Sequence, residues 1–359
     1  MTVKSTYDIS DQILKGRGAS INPSNKFENS DASTKIIDLG YEDGLNIYKT
    51  KAFETKAKSI VNKVPSPDVP LMFSMNAYQG CEHGCVYCYA RNTHNYWGFS
   101  SGLDFESKIV VKTNAPELLK KHLQNKNWKA NPIMMSGNTD CYQPLESHYK
   151  ITRRMLQVLL DFKHPVGLIT KNSLLLRDLD IIKELAKDNL VSVAVSINTL
   201  DDTFRQRLEP RASSVKSRLK LIETLVSAGI SVTALAAPII PGLNDSEIMP
   251  LVKKLCELGV SNIGHIVVRL NGDISEIFED WLQRNYPNKT QKVLNQIKSL
   301  HGGQLNNSRL GKRMRGEGNI AEIIHQQFSL AKRKYLIPKV FKYNTSLYEK
   351  YKKPQLSLF

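Results

Sequence analysis

Three cysteines fall within eight residues of this chain, in the run Ala77-Tyr-Gln-Gly-Cys81-Glu-His-Gly-Cys85-Val-Tyr-Cys88-Tyr-Ala-Arg91. With only Cys141 and Cys256 elsewhere among the 359 residues, this is not a disulfide framework; clustered thiols point to metal instead. The C-x3-C-x2-C spacing places three thiolates on one tight loop with no fourth cysteine nearby. That set suits three corners of an iron–sulfur cubane with one iron left open. Zinc is the competing occupant and would take its fourth ligand from His83 or Cys141. Inert structural thiols are the third reading.

The elements around this loop must hold it in place. Short apolar runs alternate with amphipathic stretches between about residues 70 and 270. The runs predict strands at Leu71–Asn76, Pro132–Ser136, Val166–Thr170, Val191–Ile197, Ser231–Ala237 and Ile263–Leu270. Helical periodicity covers Ala115–Leu123, His148–Phe162, Arg177–Lys187, Ser214–Ala228 and Ser246–Leu258. Strand–helix repetition of this kind implies a parallel sheet with right-handed crossovers. Six units are too few for a closed eight-stranded barrel, so the expected fold is α/β, a partial (β/α)6 barrel. The cysteine loop follows the first strand and so belongs at the C-terminal rim, where barrel chemistry collects. Residues 1–65 are expected to form a polar N-terminal arm, 66–275 the barrel, and 276–359 a basic helical extension.

Composition bounds the rest. The chain carries 50 Lys+Arg against 34 Asp+Glu, a net charge of +16, with 41% hydrophobic residues. These values exclude global disorder and favour polyanionic partners. The first residues lack an apolar signal core, and the most apolar run, Val232–Leu243, is short and contains two prolines. A cytoplasmic protein that does not span a membrane is expected.

At the cysteine loop the sequence resembles the radical S-adenosylmethionine (SAM) superfamily, whose signature is C-x3-C-x-aromatic-C, with Tyr87 in the aromatic position. The resemblance implies a 4Fe–4S cluster on Cys81, Cys85 and Cys88, with SAM chelated at the open iron. It also implies reductive formation of a 5′-deoxyadenosyl radical, a reductant such as flavodoxin or ferredoxin, and Tyr87 against the adenine. Further segments resemble a bacterial branch related to spore photoproduct lyase: Gly137-Asn-Thr-Asp-Cys-Tyr-Gln-Pro144, Thr170-Lys171, Ser196-Ile-Asn-Thr199, Glu209-Pro-Arg211 and Ala237-Pro-Ile-Ile-Pro-Gly242. By that resemblance Ser136 and Gly137 bind the methionyl amino group through backbone, and Lys171 meets the cofactor carboxylate, as a cation should.

Ser196 and Asn198 are placed to hydrogen-bond the ribose or the methionyl group, or else to cap the helix beginning near Leu200. Glu209 and Arg211 are expected to form an internal ion pair in a turn. Where the lyase carries a hydrogen-donor cysteine just before Thr-Ser-Asp, this chain has Gly137 before Asn-Thr-Asp. Cys141 and Tyr142 are then the candidate hydrogen relays; a buried packing role is the alternative for Cys141. Cys256 reads as core, His94 and His148 as surface or capping groups, and His265 as a residue able to face the barrel interior.

From Arg309 to Phe359 twelve Lys/Arg oppose three acids, a net +9. The glycine-punctuated run Arg309-Leu-Gly-Lys-Arg-Met-Arg-Gly-Glu-Gly318 can bring amides and guanidiniums to phosphates. Beyond it, lysines interleave with Tyr335, Phe341, Tyr343, Tyr348 and Tyr351, the cation-and-aromatic pattern of nucleic-acid grooves. The terminal Gln355-Leu-Ser-Leu-Phe359 resembles the pentapeptide by which bacterial repair and replication proteins dock on the sliding clamp. The expected function is a radical SAM enzyme acting on nucleic acid, with DNA lesion repair favoured. RNA or protein modification by the same radical is an alternative, and so is a zinc-bearing, non-catalytic nucleic-acid adaptor recruited to the clamp.

Overall fold

The computed structural model describes residues 16–25, 35–38, 49–69 and 71–352. The terminal pentapeptide therefore lies outside the described residues.

The first strands are β1 (Lys35–Asp38), β2 (Lys51–Thr55) and β3 (Val61–Lys63). They are followed by β4 (Phe73–Met75), β5 (Tyr78–Gln79), β6 (Lys108–Lys112) and β7 (Ile133–Met135). The last four are β8 (Val166–Thr170), β9 (Val191–Ser196), β10 (Ser231–Ile239) and β11 (Asn262–Val267). A seven-stranded sheet runs β11-β10-β9-β8-β7-β4-β3, parallel throughout except for the antiparallel edge pair β3–β4. It ends in two edges and does not close. The six expected parallel strands are therefore present in chain order, shorter than their apolar runs at β4, β7 and β11.

Helices α1 (Leu103–Ser107), α2 (Ala115–Leu123), α3 (Glu146–Tyr149), α4 (Ile151–Asp161), α5 (Leu179–Lys187), α6 (Asp202–Leu208), α7 (Val215–Ser227) and α8 (Ile248–Glu257) lie in the crossovers. Burial alternates along β9, where Val191, Val193 and Val195 are buried, and follows the helical period in α7 at Leu221, Ile222 and Leu225. Each such side chain contributes roughly 1.5–3 kcal/mol. The single helix expected over His148–Phe162 is two, because Lys150 adopts φ 52 and breaks it.

Residues before β4 do more than lead into the core. β1 and β2 join β6 and β5 in a separate four-stranded sheet, order β1-β2-β6-β5, behind the cysteine loop. After the barrel come α9 (Ile274–Asn285), α10 (Thr290–Leu300), α11 (Gly318–Tyr335) and α12 (Ser346–Lys352). The chain between α11 and α12 crosses the sheet at the N-terminal ends of its strands. Lys339 N donates to Ser261 O, Tyr343 shares a hydrogen bond with Ser192, and Asn344 N donates to Asn189 O. Tyr348 is fully buried and donates to Leu123 O. Tyr343 and Tyr348 thus pack the base of the barrel, on the rim opposite the cysteines. No helix among the described residues is long and apolar enough to cross a membrane.

Candidate active site

The cysteine loop leaves β5 and ends in a 3-10 helix, Tyr89–Trp97. All three thiols are unpaired; Cys81 and Cys85 are buried and Cys88 partly exposed. Burial is the largest influence on Cys81 and Cys85, raising both thiols, Cys85 to about 12, so metal loading must displace their protons.

Buried charge supports the loop from behind. Arg91 donates through Nε to Cys85 O (2.8 Å) and pairs with Glu106, both side chains fully buried. The other Glu106 contacts come from the N-terminal segment: Gly18 N at 2.9 Å and Ala19 N at 2.8 Å. A Cβ on Gly18 would sit 1.8 Å from Gly84 O, so only glycine allows this segment against the loop. Gly84 itself has φ +68, a conformation costly for other residues. A second buried carboxylate, Glu82, accepts from Thr50 (2.8 Å) and Leu145 N (2.6 Å) and faces Arg211 at 3.3 Å. The expected Glu209–Arg211 pair does not form. Glu209 instead pairs with Arg218 (2.5 Å) and accepts from the Tyr87 hydroxyl, because α7 brings Arg218 under the loop. Burial opposes the charge on Glu209, but Arg218 and Lys171 outweigh it and lower its pKa.

Asp140 links the rims of β7 and β8. It accepts from Thr170 Oγ1 (2.8 Å), Lys171 N (2.8 Å) and Tyr142 N (2.9 Å), with His83 Nδ1 3.4 Å away. Burial would raise its pKa, yet His83 and Lys171 hold it down to about 2. His83 also contacts Asn172 through Nε2 at 3.2 Å, while its Nδ1 is buried without a hydrogen-bond partner among the described residues. Cys141 lies buried in the main core. Among the described residues no three His, Cys, Asp or Glu side chains form a single-ion site.

The other expected residues gather at the same rim. Ser136, at φ 76, accepts from Cys141 N (2.9 Å), and the Gly137 carbonyl accepts from the Tyr89 hydroxyl. Lys171 is partly buried, and its ammonium forms no ion pair among the described residues. Burial disfavours that charge, but Cys85, Glu209, Asp140 and Cys88 more than offset it and raise the pKa. Ser196 is buried and its carbonyl accepts from Arg218. Asn198 is buried with Oδ1 lacking any hydrogen-bond partner. Neither caps a helix; Asp201 caps α6. Three soft thiols, a lone ammonium and an orphaned amide oxygen on one rim fit an iron–sulfur cluster with an amino-acid-bearing cofactor.

Cys141 and Tyr142 are both buried in the main core. Tyr89, half exposed beside Cys88, is an aromatic at the open face that the sequence reading passed over. His94 is not a surface group: it is buried against Phe99 and Phe105, and burial lowers its pKa to about 4. His265 does not serve the barrel interior; it stacks on Phe328 and meets His325 at 2.7 Å, both from α11.

An open parallel sheet with a three-cysteine loop at its C-terminal rim defines a radical SAM enzyme. The Radical SAM superfamily model matches residues 75–255, and the chain belongs to that family. The family's cofactors are a 4Fe–4S cluster and SAM. An uncharacterized protein of Mycobacterium tuberculosis is 34% identical over 237 residues, covering 65% of this chain and 70% of its own. One of Methanocaldococcus jannaschii is 31% identical over 248 residues, covering 69% and 88%. The fold is also that of a spore photoproduct lyase variant with bound AdoMet and dinucleoside spore photoproduct, at TM-score 0.57, 16% identity and 81% coverage of both chains.

Proposed function

We propose that this enzyme abstracts hydrogen from nucleic acid, and that the reaction is repair of a DNA lesion. Cys81, Cys85 and Cys88 would hold the cluster, while Lys171, Asn198, Ser196, Ser136, Gly137 and Tyr87 would hold SAM. Bound there, the pair supplies a 5′-deoxyadenosyl radical. The Lys171 ammonium offers a charge-assisted contact to the SAM carboxylate, and Asn198 Oδ1 offers an acceptor. Asp140 positions the Lys171 backbone, and Glu209 positions Tyr87 through its hydroxyl. Cys141 and Tyr142 are proposed as hydrogen relays; product formation unchanged in Cys141→Ala would remove the first.

One observation carries the nucleic-acid reading. The basic run 309–316 is not a free tail but is held against the sheet, where Met314 O accepts from Val267 N at the end of β11 (3.1 Å). Exposed Arg309 and Arg315 of this run would offer charge near the end of β11, and polyanions are their natural partners. Flavodoxin or ferredoxin as reductant and clamp docking through Gln355–Phe359 belong to the same proposal. The test is to incubate reconstituted enzyme with irradiated DNA, intact DNA and tRNA. DNA should accelerate 5′-deoxyadenosine release most; acceleration by none of the three would point to a protein or small-molecule substrate.

A further inference from the structure

The open sheet has two edges, β11 and β3, and the basic run joins them. On the β11 side it is held by the Met314–Val267 hydrogen bond. On the β3 side Asp68 accepts from Gly311 N (2.8 Å) and Arg313 Nε (2.5 Å), while Ser66 Oγ accepts from Arg313 Nη2 (2.6 Å). The run is a strap across the lateral opening.

Arg269 stands at this seam, two residues beyond β11. Its backbone is held on both sides. Leu270 N donates to Leu305 O (2.9 Å), His301 Nε2 meets Val268 O (2.8 Å), and Asn92, from the 3-10 helix after Cys88, donates to Asn271 O (2.8 Å). The Arg269 side chain is partly buried and makes no hydrogen bond or ion pair among the described residues. Its charged and titratable neighbours are Arg313, Tyr89, Asp68 and His301. Asp68 is already engaged by Arg313, so no carboxylate is left for Arg269. Arg269 thus stands near Tyr89, the residue next to Cys88, on one side and near the strap guanidinium of Arg313 on the other. A planar fork in such a place matches a phosphate.

We propose that Arg269, backed by Arg313 on the strap, grips one phosphodiester of the substrate strand and so sets which nucleotide faces the radical site. This rests on the nucleic-acid reading above. Exposed Arg309 and Arg315 extend the cationic track along the strap, whereas Lys312 is paired with Glu317. The side chain acts as a substrate-positioning group, not a source of radical chemistry.

Anisotropy of a labelled DNA duplex on the full-length reconstituted protein tests this across a salt series. Arg269→Gln should weaken binding about tenfold and reduce the slope of log K against log salt by about 1. Arg269→Lys, which keeps the charge but not the fork, should restore the slope and only part of the affinity. The melting temperature and the visible cluster spectrum report folding, and the lysine variant decides if the glutamine variant misfolds. A wild-type protein that binds DNA with Arg269→Gln unchanged in affinity and slope overturns the Arg269 phosphate grip and leaves the substrate reading standing. Wild-type protein that neither binds DNA nor responds to it overturns both.

Discussion

The cysteine loop and the 309–316 strap are held in opposite ways: the loop sits at the C-terminal ends of the strands, whereas the strap runs from the end of β11 to the turn between β3 and β4. Behind the loop, Glu106 and Arg91 are fully buried and every contact of Glu106 is to the loop, its helix or the N-terminal segment. The strap is largely exposed and reaches the β3 side through a single carboxylate, Asp68, and one serine. A cluster must be held to a fixed geometry, and buried charge pairs with several donors provide that. The strap keeps Arg309 and Arg315 exposed and without an ion pair among the described residues, while Lys312 pairs with Glu317 and Arg313 with Asp68. Rigid support and available charge cannot be built from the same residues.

The contrast sets the order of expected effects. Removing Glu106 by Glu106→Ala leaves Arg91 buried and unpaired, which should destabilise the protein by about 3–5 kcal/mol in denaturant unfolding. An equal stability would mean the loop does not depend on that pair. Acid acts next. His94 is held neutral by burial, with a folded pKa of about 4 against 6.5 for the free group. Only the unfolded chain takes the proton in that interval, so stability is full above pH 6.5 and falls as pH drops toward 4, by about 3 kcal/mol at the bottom of the window. A melting temperature flat across that range would contradict the burial.

Lys171→Met should raise the KM for SAM roughly ten- to a hundredfold, the worth of a charge-assisted hydrogen bond, while thermal unfolding changes little. An unchanged KM would exclude Lys171 from the cofactor. The smallest effect is expected at the strap. Asp68→Asn should leave the melting temperature at its wild-type value and show itself as faster proteolytic cleavage within 309–316. Unchanged cleavage would mean that Asp68 is not the tether.

Much of this rim was legible in the sequence because it is local. Three thiols in eight residues and apolar runs followed by amphipathic ones show the cluster loop and six parallel strands without any long-range knowledge. What was not legible joins distant segments. Glu106 meets Gly18 across 88 positions, and Arg313 meets Asp68 across 245. The run Gly16-Arg-Gly-Ala19 was the available sign of a close backbone approach, and it lay in a stretch whose polar composition reads as an arm. The same distance effect misplaced Glu209, whose partner is Arg218 and not the adjacent Arg211, and the aromatics Tyr343 and Tyr348. Sequence pattern shows that they alternate with lysines; only the fold shows them packed on the base of the barrel.

The central claim is that the three-cysteine loop initiates radical chemistry. Anaerobic reconstitution of the full chain with iron and sulfide, followed by reduction in the presence of SAM, measures it most directly. A brown protein that forms 5′-deoxyadenosine, with both properties lost in Cys85→Ala, is the predicted result. A colourless protein holding stoichiometric zinc and leaving SAM intact would contradict it.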